Sequence, residues 1–368
     1  MATHRAAISL SPNQSFAIQT RPTPKPGPNE LLIAVKSVAL NPADVQMRDN
    51  GLFIPPHMYP TVIGFDMAGL VLEIGTNVPT DTFRPGITRV AAFAASFWRS
   101  CDPNYGAFQE RCLVPWQHAV PLPDDEGMSW NHAATLPVAV EVALNAWDVM
   151  GIRVPWVGGN EKAGKTEALL VWGASSSVGT MGVQTARVLR DDADSPVAAV
   201  YATAGLANKE YVASLGADRV FDYKDSRVVD EIVLAAKEDG LVIRHCFLAN
   251  GKLAMCQDVL KAFPPGEGVG ERSLAKIASA PVVPEDAGVV GGIKTIFVLP
   301  SMVEEERLEQ FRLWLGTWLR ENLVKGNIRP SPEPRVVGRG LEAINVGLDM
   351  LRGGVSCAKL VVEVSRGE

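Results

Sequence analysis

The stretch that decides the fold is Leu169-Leu-Val-Trp-Gly-Ala-Ser-Ser-Ser-Val-Gly179. Its apolar run LLVW predicts a strand, the small residues after Trp172 predict a tight turn, and VGTMGVQTARVL carries apolar or small residues at helical spacing. Strand, turn and helix in this order are typical of a βαβ unit that presents a helix N-terminus to a phosphate. A dinucleotide is the ligand that this order favours.

The turn departs from the G-x-G-x-x-G pattern, because only Gly173 and Gly179 remain and serines fill positions 175–177. An ordinary strand-to-helix turn is the alternative interpretation. Small residues allow the backbone to come close to a pyrophosphate, and the first N–H groups of the helix can donate to it. The cofactor contacts predicted in this loop are Gly173, Ser175, Ser176, Ser177 and Val178.

Two different sequence patterns divide the chain. Short β-rich runs punctuated by Pro and Gly, such as NELLIAVKSVAL and MAGLVLEIG, predict a compact β-barrel-like domain in the N-terminal third. After a Gly- and Lys-bearing stretch at 153–166, predicted to be a surface loop, strands and helices alternate. LLVW, PVAAVYAT, DRVFDY and LVIRHCFLA are the strands, and NKEYVASLGA and VVDEIVLAAKE are helices between them. This alternation predicts a doubly wound parallel sheet, so the fold class is α/β.

Further elements set the predicted domain bounds. A helix is expected from Asn131 onward, with Pro137 as a second possible start, and the clearest helix covers 304–326. CAKLVVEV at 357–364 predicts a closing strand. We therefore expect a β-barrel domain over 1–130, a cofactor domain over 131–310, and a C-terminal part over 311–368 that returns to the first domain.

Composition narrows the class of protein. The 368 residues are 47% hydrophobic and 21% charged, with a formal net charge of −6, which argues against a general nucleic-acid binder. We see neither a secretory signal nor an apolar run of membrane-spanning length. The five cysteines are odd in number, widely spread and without a CxxC pair, so they predict reduced thiols and no metal site. The expectation is a soluble, cytoplasmic protein.

Six short blocks occur in an order that resembles one family. They are NPAD at 41–44, GFDMAG at 64–69 with EIG at 73–75, GAFQERCLVP at 106–115, AATLPVA at 133–139, WGASSSVG at 172–179, and the C-terminal GLEAINVGLDMLRGGVSCAKLVVEV. Together they resemble the medium-chain dehydrogenase/reductase superfamily, within it the zinc-independent quinone oxidoreductase and enoyl reductase branch, and most closely the fungal stand-alone enoyl reductases that serve polyketide synthases. The resemblance implies a GroES-like catalytic domain and a Rossmann cofactor domain.

The residues at the family's zinc positions predict a zinc-free enzyme. Zinc-bearing members have a cysteine where this chain has Asn41, and a His-Glu pair where it has Phe65 and Asp66. Phe cannot coordinate a metal and Asn is a poor Zn²⁺ ligand. Where those relatives hold four close cysteines, this chain has only Cys101 and Cys112. Without a Lewis acid, reduction of an activated C=C is favoured over alcohol oxidation.

The second strand of the cofactor domain predicts NADPH. It ends at Thr203, and no acid follows before Glu210, so the carboxylate that selects NAD is missing. As in NADPH-dependent relatives, Thr203, Lys209 and Tyr223 are predicted to meet a 2′-phosphate. The alternative for Lys209 is a solvated lysine on a helix face.

Three residues are candidates for the catalytic side. Asn41 is predicted to border the nicotinamide and the substrate, because it stands where zinc-bearing relatives have a ligand. Asp44 completes Asn-Pro-x-Asp, which is also a common turn. Some family members carry a tyrosine proton donor where this chain has Phe53, so Tyr59 is the candidate donor, with a packed aromatic ring as the alternative.

The leading hypothesis is an NADPH-dependent reductase of the C=C of α,β-unsaturated carbonyl compounds or thioesters in fungal secondary metabolism. The substrate is a free small molecule or is bound to a carrier, with a polyketide synthase as a possible partner. A quinone or alkenal reductase is the second hypothesis, and a non-redox protein that uses the fold as a scaffold is the third. Monomer and homodimer both remain open.

Overall fold

The structure is a computed structural model that describes residues 2–123, 127–152, 165–264, 274–284, 287 and 289–364. The chain divides into two compact units, Met1–Val138 with Ser301–Glu368, and Ala139–Pro300. The sequence predicted domain bounds at 130/131 and 310/311. The predicted surface loop at 153–166 lies, except for its last two residues, outside the described residues.

The first unit is built on a seven-stranded sheet and a separate two-stranded one. The seven-stranded order is β15-β16-β3-β4-β5-β7, with β6 also paired to β3, while β1 pairs with β2. The strands are β1 (Thr3–Ile8), β2 (Ala17–Pro22), β3 (Glu30–Ala39), β4 (Asp66–Ile74), β5 (Arg89–Phe93), β6 (Arg111–Pro115), β7 (Ala119–Pro121), β15 (Pro334–Arg339) and β16 (Lys359–Glu363). Strand β3 is buried along nearly its whole length and pairs with β4, β6 and β16. The C-terminal strand is therefore part of the sheet that the N-terminal third begins.

The helices of the first unit lie in the connections between these strands. They are α1 (Pro42–Asn50), α2 (Trp130–Ala134), α8 (Glu304–Phe311), α9 (Arg320–Val324) and α10 (Ala343–Arg352), with short 3₁₀ helices at Pro56–Met58, Ser96–Arg99, Pro103–Tyr105 and Trp116–His118. Helix α3 (Pro137–Met150) begins in this unit and continues into the second. Pro137 is its first residue, so the helical stretch predicted from Asn131 is two helices and the proline marks the start of the longer one.

The second unit has the predicted doubly wound arrangement. Its sheet order is β10-β9-β8-β11-β12-β14-β13, and every described pairing is parallel except that of β13 with β14. The strands are β8 (Glu167–Trp172), β9 (Val197–Ala204), β10 (Arg219–Asp222), β11 (His245–Leu248), β12 (Ala275–Ser279), β13 (Val289–Val290) and β14 (Ile293–Phe297), and the helices are α4 (Ser177–Asp191), α5 (Lys209–Ser214), α6 (Val228–Glu238) and α7 (Leu253–Lys261). The chain order reverses at β8, which lies between β9 and β11. Open α/β sheets bind ligands beyond the carboxyl end of the strand at such a reversal.

The apolar stretch Trp130–Met150 is the only part of the described chain with the length and composition of a membrane span. Of its most apolar window, 78% is buried within the protein. This stretch comprises α2 and α3, so its apolar residues form part of the core.

The predicted helix over 304–326 differs from expectation in its middle. It runs from Glu304 to Val324, but Arg312–Leu319 between α8 and α9 is π-helical. Trp314, Leu315, Trp318 and Leu319 of this segment are buried. Helix propensities describe α-helical turns, so they predict the helix and not its wider central turns.

Candidate active site

The loop after β8 requires its two glycines for steric reasons. Gly173 has a φ of +78°, and a Cβ there would lie 2.3 Å from the carbonyl oxygen of Asn250. A Cβ on Gly179 would lie 2.4 Å from the carbonyl oxygen of Gly173. Strand β8 can therefore turn into α4 in a few residues only because these side chains are absent.

The three serines of the loop have different roles. Ser176 caps α4: its Oγ accepts from the N–H of Gly179 at 3.2 Å and donates to the carbonyl of Gly173 at 2.8 Å. The Oγ of Ser177 is buried and has no hydrogen-bond partner in the described structure. Ser175 and Val178 are half-buried. The hydroxyl of Ser176 is therefore engaged within the loop, whereas that of Ser177 is unpaired there.

This loop fits the phosphates of a dinucleotide. The first N–H groups of a helix have no intrahelical acceptor, and they carry the positive end of its dipole. The Ser176 hydroxyl accepts from the N–H of Gly179, so the N–H groups of Ser177 and Val178 remain to bind an anion. The unpaired Ser177 hydroxyl adds a side-chain donor at the same helix start.

Thr203 has a different role from the predicted one. It is fully buried, and its Oγ1 accepts a hydrogen bond of 2.9 Å from the N–H of Gly173. This bond ties the end of β9 to the loop after β8. Because the hydroxyl is engaged below the surface, Thr203 supports the loop and is not placed to meet a 2′-phosphate.

The other predicted 2′-phosphate contacts lie near the surface. Lys209 is the first residue of α5 and is half-buried, and Tyr223, just after β10, is 44% exposed. The Tyr223 ring lies 3.6 Å from where a Cβ on Gly205 would be, so it packs beside the turn after β9. The Nζ of Lys224 lies 5.9 Å from the centre of the same ring. Lys224 was missed in the sequence, although its place next to Tyr223 could have suggested it.

In the first unit, Asn41 stands at the start of α1 with its side chain in a buried network. Its Nδ2 donates to Asp66 Oδ2 at 3.0 Å, and its Oδ1 accepts from Lys359 Nζ at 2.6 Å. Lys359 Nζ is also 3.0 Å from Asp66 Oδ2. Asn41, Asp66 and Lys359 are each at most 5% exposed. We call these three residues the charge network.

Two neighbours complete the charge network. The other carboxylate oxygen of Asp66 accepts from the N–H of Val138 at 2.8 Å, at the start of α3. Asp44 Oδ2 accepts from the N–H of Asn41 at 2.8 Å, which is one half of a capping box on α1. Burial raises the pKa of Asp44 to about 7, and the bond from Asn41 opposes that rise. The structure thus gives Asp44 the turn-forming role that the sequence left as one alternative.

Tyr59 lies apart from the charge network. Its hydroxyl is near Gly51, the C-cap of α1, whereas Asn41 is the N-cap of the same helix. A helix of nine residues separates them by about 13 Å. The hydroxyl is buried without a hydrogen-bond partner in the described ranges, and burial raises the pKa of Tyr59. It is therefore protonated at neutral pH, but the three predicted catalytic residues are not one cluster.

The residues at the family's metal position do not fit a zinc ion. Phe65 places its ring 5.7 Å from that of Phe93, and the oxygens of Asn41 and Asp66 already contact the ammonium of Lys359. A cationic side chain so close would repel a metal ion. Across the described ranges, no group of three or more His, Cys, Asp or Glu side chains is placed to hold a metal.

The comparisons agree with this architecture. Residues 27–124 match the Alcohol dehydrogenase GroES-like domain family. The chain is 41% identical to the trans-enoyl reductase tndF of Aspergillus flavipes over 98% of both chains, and 43% identical to the trans-enoyl reductase tazE of Aspergillus terreus over 83% of this chain and 95% of that one. Its fold is similar to that of a putative zinc-dependent alcohol dehydrogenase from Rhizobium etli, with a TM-score of 0.74 and 22% identity over 100% of this chain and 99% of that one.

A GroES-like sheet unit joined to a Rossmann-like unit defines an oxidoreductase of the medium-chain dehydrogenase/reductase superfamily. Within it, the chain belongs to the fungal enoyl reductases. Membership implies a nicotinamide cofactor, for which the loop between β8 and α4 is suited.

Proposed function

We propose that the protein is an NADPH-dependent, zinc-independent enoyl reductase. It reduces the C=C of an α,β-unsaturated thioester that a polyketide synthase carries, and it works in the cytoplasm. The names of its Aspergillus relatives support the reaction and the action in trans. Its five cysteines are all free thiols, which supports a reducing compartment.

The observation that carries the proposal is the ammonium of Lys359 between Asn41 and Asp66. Alcohol oxidation on this fold uses a metal to hold an alkoxide, and here the oxygens that would face the metal are engaged by a lysine. Reduction of an activated C=C needs only that the reactants be oriented and that charge on the enolate be stabilised. The residues at this position therefore favour reduction of a C=C over oxidation of an alcohol.

The chain's own residues bind and orient. The helix α4 N-terminus and the Ser177 hydroxyl hold the phosphates of the cofactor, which supplies the hydride when bound. Lys209, Tyr223 and Lys224 provide a cationic and aromatic surface for a 2′-phosphate, and no acid opposes it between Thr203 and Glu210. This arrangement supports NADPH over NADH.

The charge network fixes Asn41 rather than leaving it mobile. Both polar atoms of the Asn41 side chain are paired, so the amide has one orientation. Tyr59 retains its proton at neutral pH, but its buried hydroxyl lies at the opposite end of α1 from Asn41, so water is the proposed donor to the α-carbon. Tyr59→Phe is therefore expected to leave turnover within about twofold of the wild type, whereas loss of a general acid would slow it by about 10²-fold.

Oxidation of NADPH with a panel of enoyl pantetheine thioesters, enones and quinones tests the proposal. We expect kcat/KM to be highest for the thioesters, at least tenfold lower with NADH, and unchanged by a chelator. Preference for quinones would favour a small-molecule reductase. Tight cofactor binding without turnover on any of them would favour a non-redox role for the fold.

A further inference from the structure

A series of aromatic contacts crosses the first unit from an exposed ring to a buried one. Phe53, which is 38% exposed, has its ring centroid 5.0 Å from that of Phe97, and Phe97 lies 5.4 Å from Trp98. Trp98 lies 5.6 Å from Phe311, which is fully buried. We call the connected rings the aromatic track. Its members are Phe53, Phe97, Trp98, Phe93, His118 and Phe311.

The inner part of the aromatic track contacts Phe65, the residue before β4. Phe93 is 5.1 Å from Phe311 and 5.7 Å from Phe65, measured between ring centroids. Phe65 directly precedes Asp66. The ring contacts therefore run from the surface at Phe53 to Phe65, just before β4, within one unit of the chain.

Three buried nitrogen atoms along the track lack a hydrogen-bond partner in the described parts of the chain. They are Trp98 Nε1, His118 Nε2 and Arg307 Nε. His118 is 1% exposed and Arg307 5%. Native proteins rarely leave such groups unpaired, because each loses its hydrogen bond to water without replacement. Three of them in one aromatic environment indicate a missing ligand rather than an isolated defect.

Arg307 packs against the track, and burial lowers the pKa of its guanidinium from the ordinary value. Its Cζ lies 5.2 Å from the centre of the Trp98 ring, and its Nη1 donates to the carbonyls of Ser301 and Met302. The carboxylate of Glu304, three residues before Arg307 at the start of α8, pairs with Arg99 at 3.0 Å. The Nε–H of Arg307 is thus a donor held against an aromatic face.

The unpaired atoms define the chemistry of the ligand. His118 Nδ1 lies 3.2 Å from the carbonyl oxygen of Phe93, which can only accept, so Nδ1 carries the proton. Burial lowers the pKa of His118 to about 3, so the ring is neutral and Nε2 is an acceptor. Trp98 and Arg307 offer donors. One acceptor and two donors match a hydroxyl group, which donates one hydrogen bond and accepts two.

The backbone beside the track is also unusual. The π-helical segment Arg312–Leu319 begins directly after Phe311, whose ring stacks on His118 at 3.9 Å and 17°. π-Helical turns are rare in proteins and occur frequently at functional sites. This observation is independent of the unpaired nitrogens, and the segment directly follows Phe311, a member of the track.

We propose that the aromatic track binds the distal part of the acyl substrate, and that this part is a flat, conjugated or aryl chain bearing a hydroxyl or enol oxygen. The inference rests on the proposed function and names its substrate class. The exposed ring of Phe53, at the outer end of the track, packs against the π system of the chain, and the oxygen pairs with the nitrogens of Trp98, His118 and Arg307. A saturated hydrocarbon chain would leave all three unpaired.

Matched pairs of pantetheine thioesters test this inference: aryl-enoyl and aryl-dienoyl chains that end in 4-hydroxyphenyl or in phenyl. With NADPH, the wild type is expected to reduce the 4-hydroxyphenyl thioester with at least tenfold higher kcat/KM than the matching phenyl thioester. This holds for whichever of the two chain types, aryl-enoyl or aryl-dienoyl, is reduced faster. Trp98→Phe, which removes the N–H donor and keeps a smaller aromatic ring, and His118→Phe, which removes the acceptor, are expected to reduce that preference to twofold or less. Trp116→Phe is the matched control, because the Trp116 ring contacts Phe83 and lies off the track.

Equal kcat/KM for both members in the wild type, or an unchanged preference in Trp98→Phe, would overturn the inference and leave enoyl reduction intact. If no thioester is reduced, the proposed function fails, and calorimetric binding of the saturated thioesters then decides the inference. Tenfold tighter binding of the hydroxyl member that is lost in Trp98→Phe supports it, and equal binding refutes it. Urea unfolding confirms that each variant is folded, and Trp98→Phe alone is sufficient if His118→Phe does not fold.

Discussion

The charge network and the loop after β8 differ in whether their buried polar side-chain atoms have hydrogen-bond partners. In the network, the oxygens of Asn41 and Asp66 are shared with the ammonium of Lys359 at 2.6 and 3.0 Å. In the loop, Ser177 has a buried hydroxyl without a partner in the described structure. The aromatic track resembles the loop in this respect. A cluster whose polar atoms are all paired holds backbone segments together, whereas unpaired polar atoms can hydrogen-bond to a ligand.

The largest effect is expected where the charge network is broken. Lys359→Met leaves the carboxylate of Asp66 buried without its cation, so the free energy of unfolding should fall by about 3–5 kcal/mol. Urea unfolding at neutral pH measures it. The double variant Lys359→Met/Asp66→Asn removes the stranded charge and should recover a large part of the loss. A loss below about 1 kcal/mol in the single variant would mean that the network does not hold the fold.

Asp44 and His118 should give opposite pH dependences of stability. The pKa of Asp44 is raised to about 7 in the folded protein, so its contribution is complete below its unfolded pKa of about 3.9 and is lost as pH rises through 7. The pKa of His118 is lowered to about 3, so its contribution is complete above about 6.5 and is lost as pH falls. Between about pH 4 and 6.5 the two slopes nearly cancel, each at most about 1.4 kcal/mol per pH unit.

Replacing Asp44 or His118 should reveal the pH dependence of stability that the remaining group causes. Relative to the wild type, Asp44→Asn should make the free energy of unfolding rise more steeply with pH across this window, and His118→Phe should make it fall. Urea unfolding at half-unit pH steps measures both differences. Parallel curves for the wild type and both variants would show that neither group has the expected pKa in the folded protein.

Within the loop, two neighbouring serines form a matched pair. Ser176→Ala removes the cap of α4 and should lower the free energy of unfolding by about 1 kcal/mol. Ser177→Ala removes an unpaired hydroxyl and should leave stability unchanged, while it raises the Kd for NADPH about fivefold through one lost hydrogen bond. Thermal unfolding and cofactor titration separate the two. Equal effects of both variants on stability would remove the distinction between the two serines.

The smallest effect is expected at the surface. Lys209→Ala should raise the KM for NADPH about threefold and leave that for NADH unchanged, because a half-buried lysine at the surface still interacts with phosphate largely through water. The effect of this half-buried lysine should shrink at high salt. Glu210→Ala, next in the chain, is the control and should change neither value. Equal effects on NADPH and NADH would assign the 2′-phosphate elsewhere.

The sequence predicts what depends on local pattern. The strand, turn and helix around Gly173 are visible because apolar period, small residues and helical spacing adjoin in one stretch. The alternation after Trp172 likewise predicts the parallel sheet. The first strand, Thr3–Ile8, was missed because His4 and Arg5 interrupt its apolar pattern.

The charge network could not be read in the same way, because Asn41, Asp66 and Lys359 come from distant parts of the chain and meet only through the pairing of β16, β3 and β4. The one signal was a lysine at the start of an apolar strand, which points to a buried partner. Thr203 shows the converse. Its position was predicted correctly, but a hydroxyl at the end of a strand can face a ligand or a neighbouring turn, and only the fold decides which.

The central claim is reduction of an enoyl thioester by NADPH without a metal. It is tested most directly by incubating the protein with NADPH deuterated at nicotinamide C4, a trans-enoyl pantetheine thioester and a chelator. Mass spectrometry with fragment analysis should find the saturated thioester with one deuterium at the β-carbon, when the transferred position carries the label. Absence of saturated product, or product that forms only after zinc is added back, would contradict the claim.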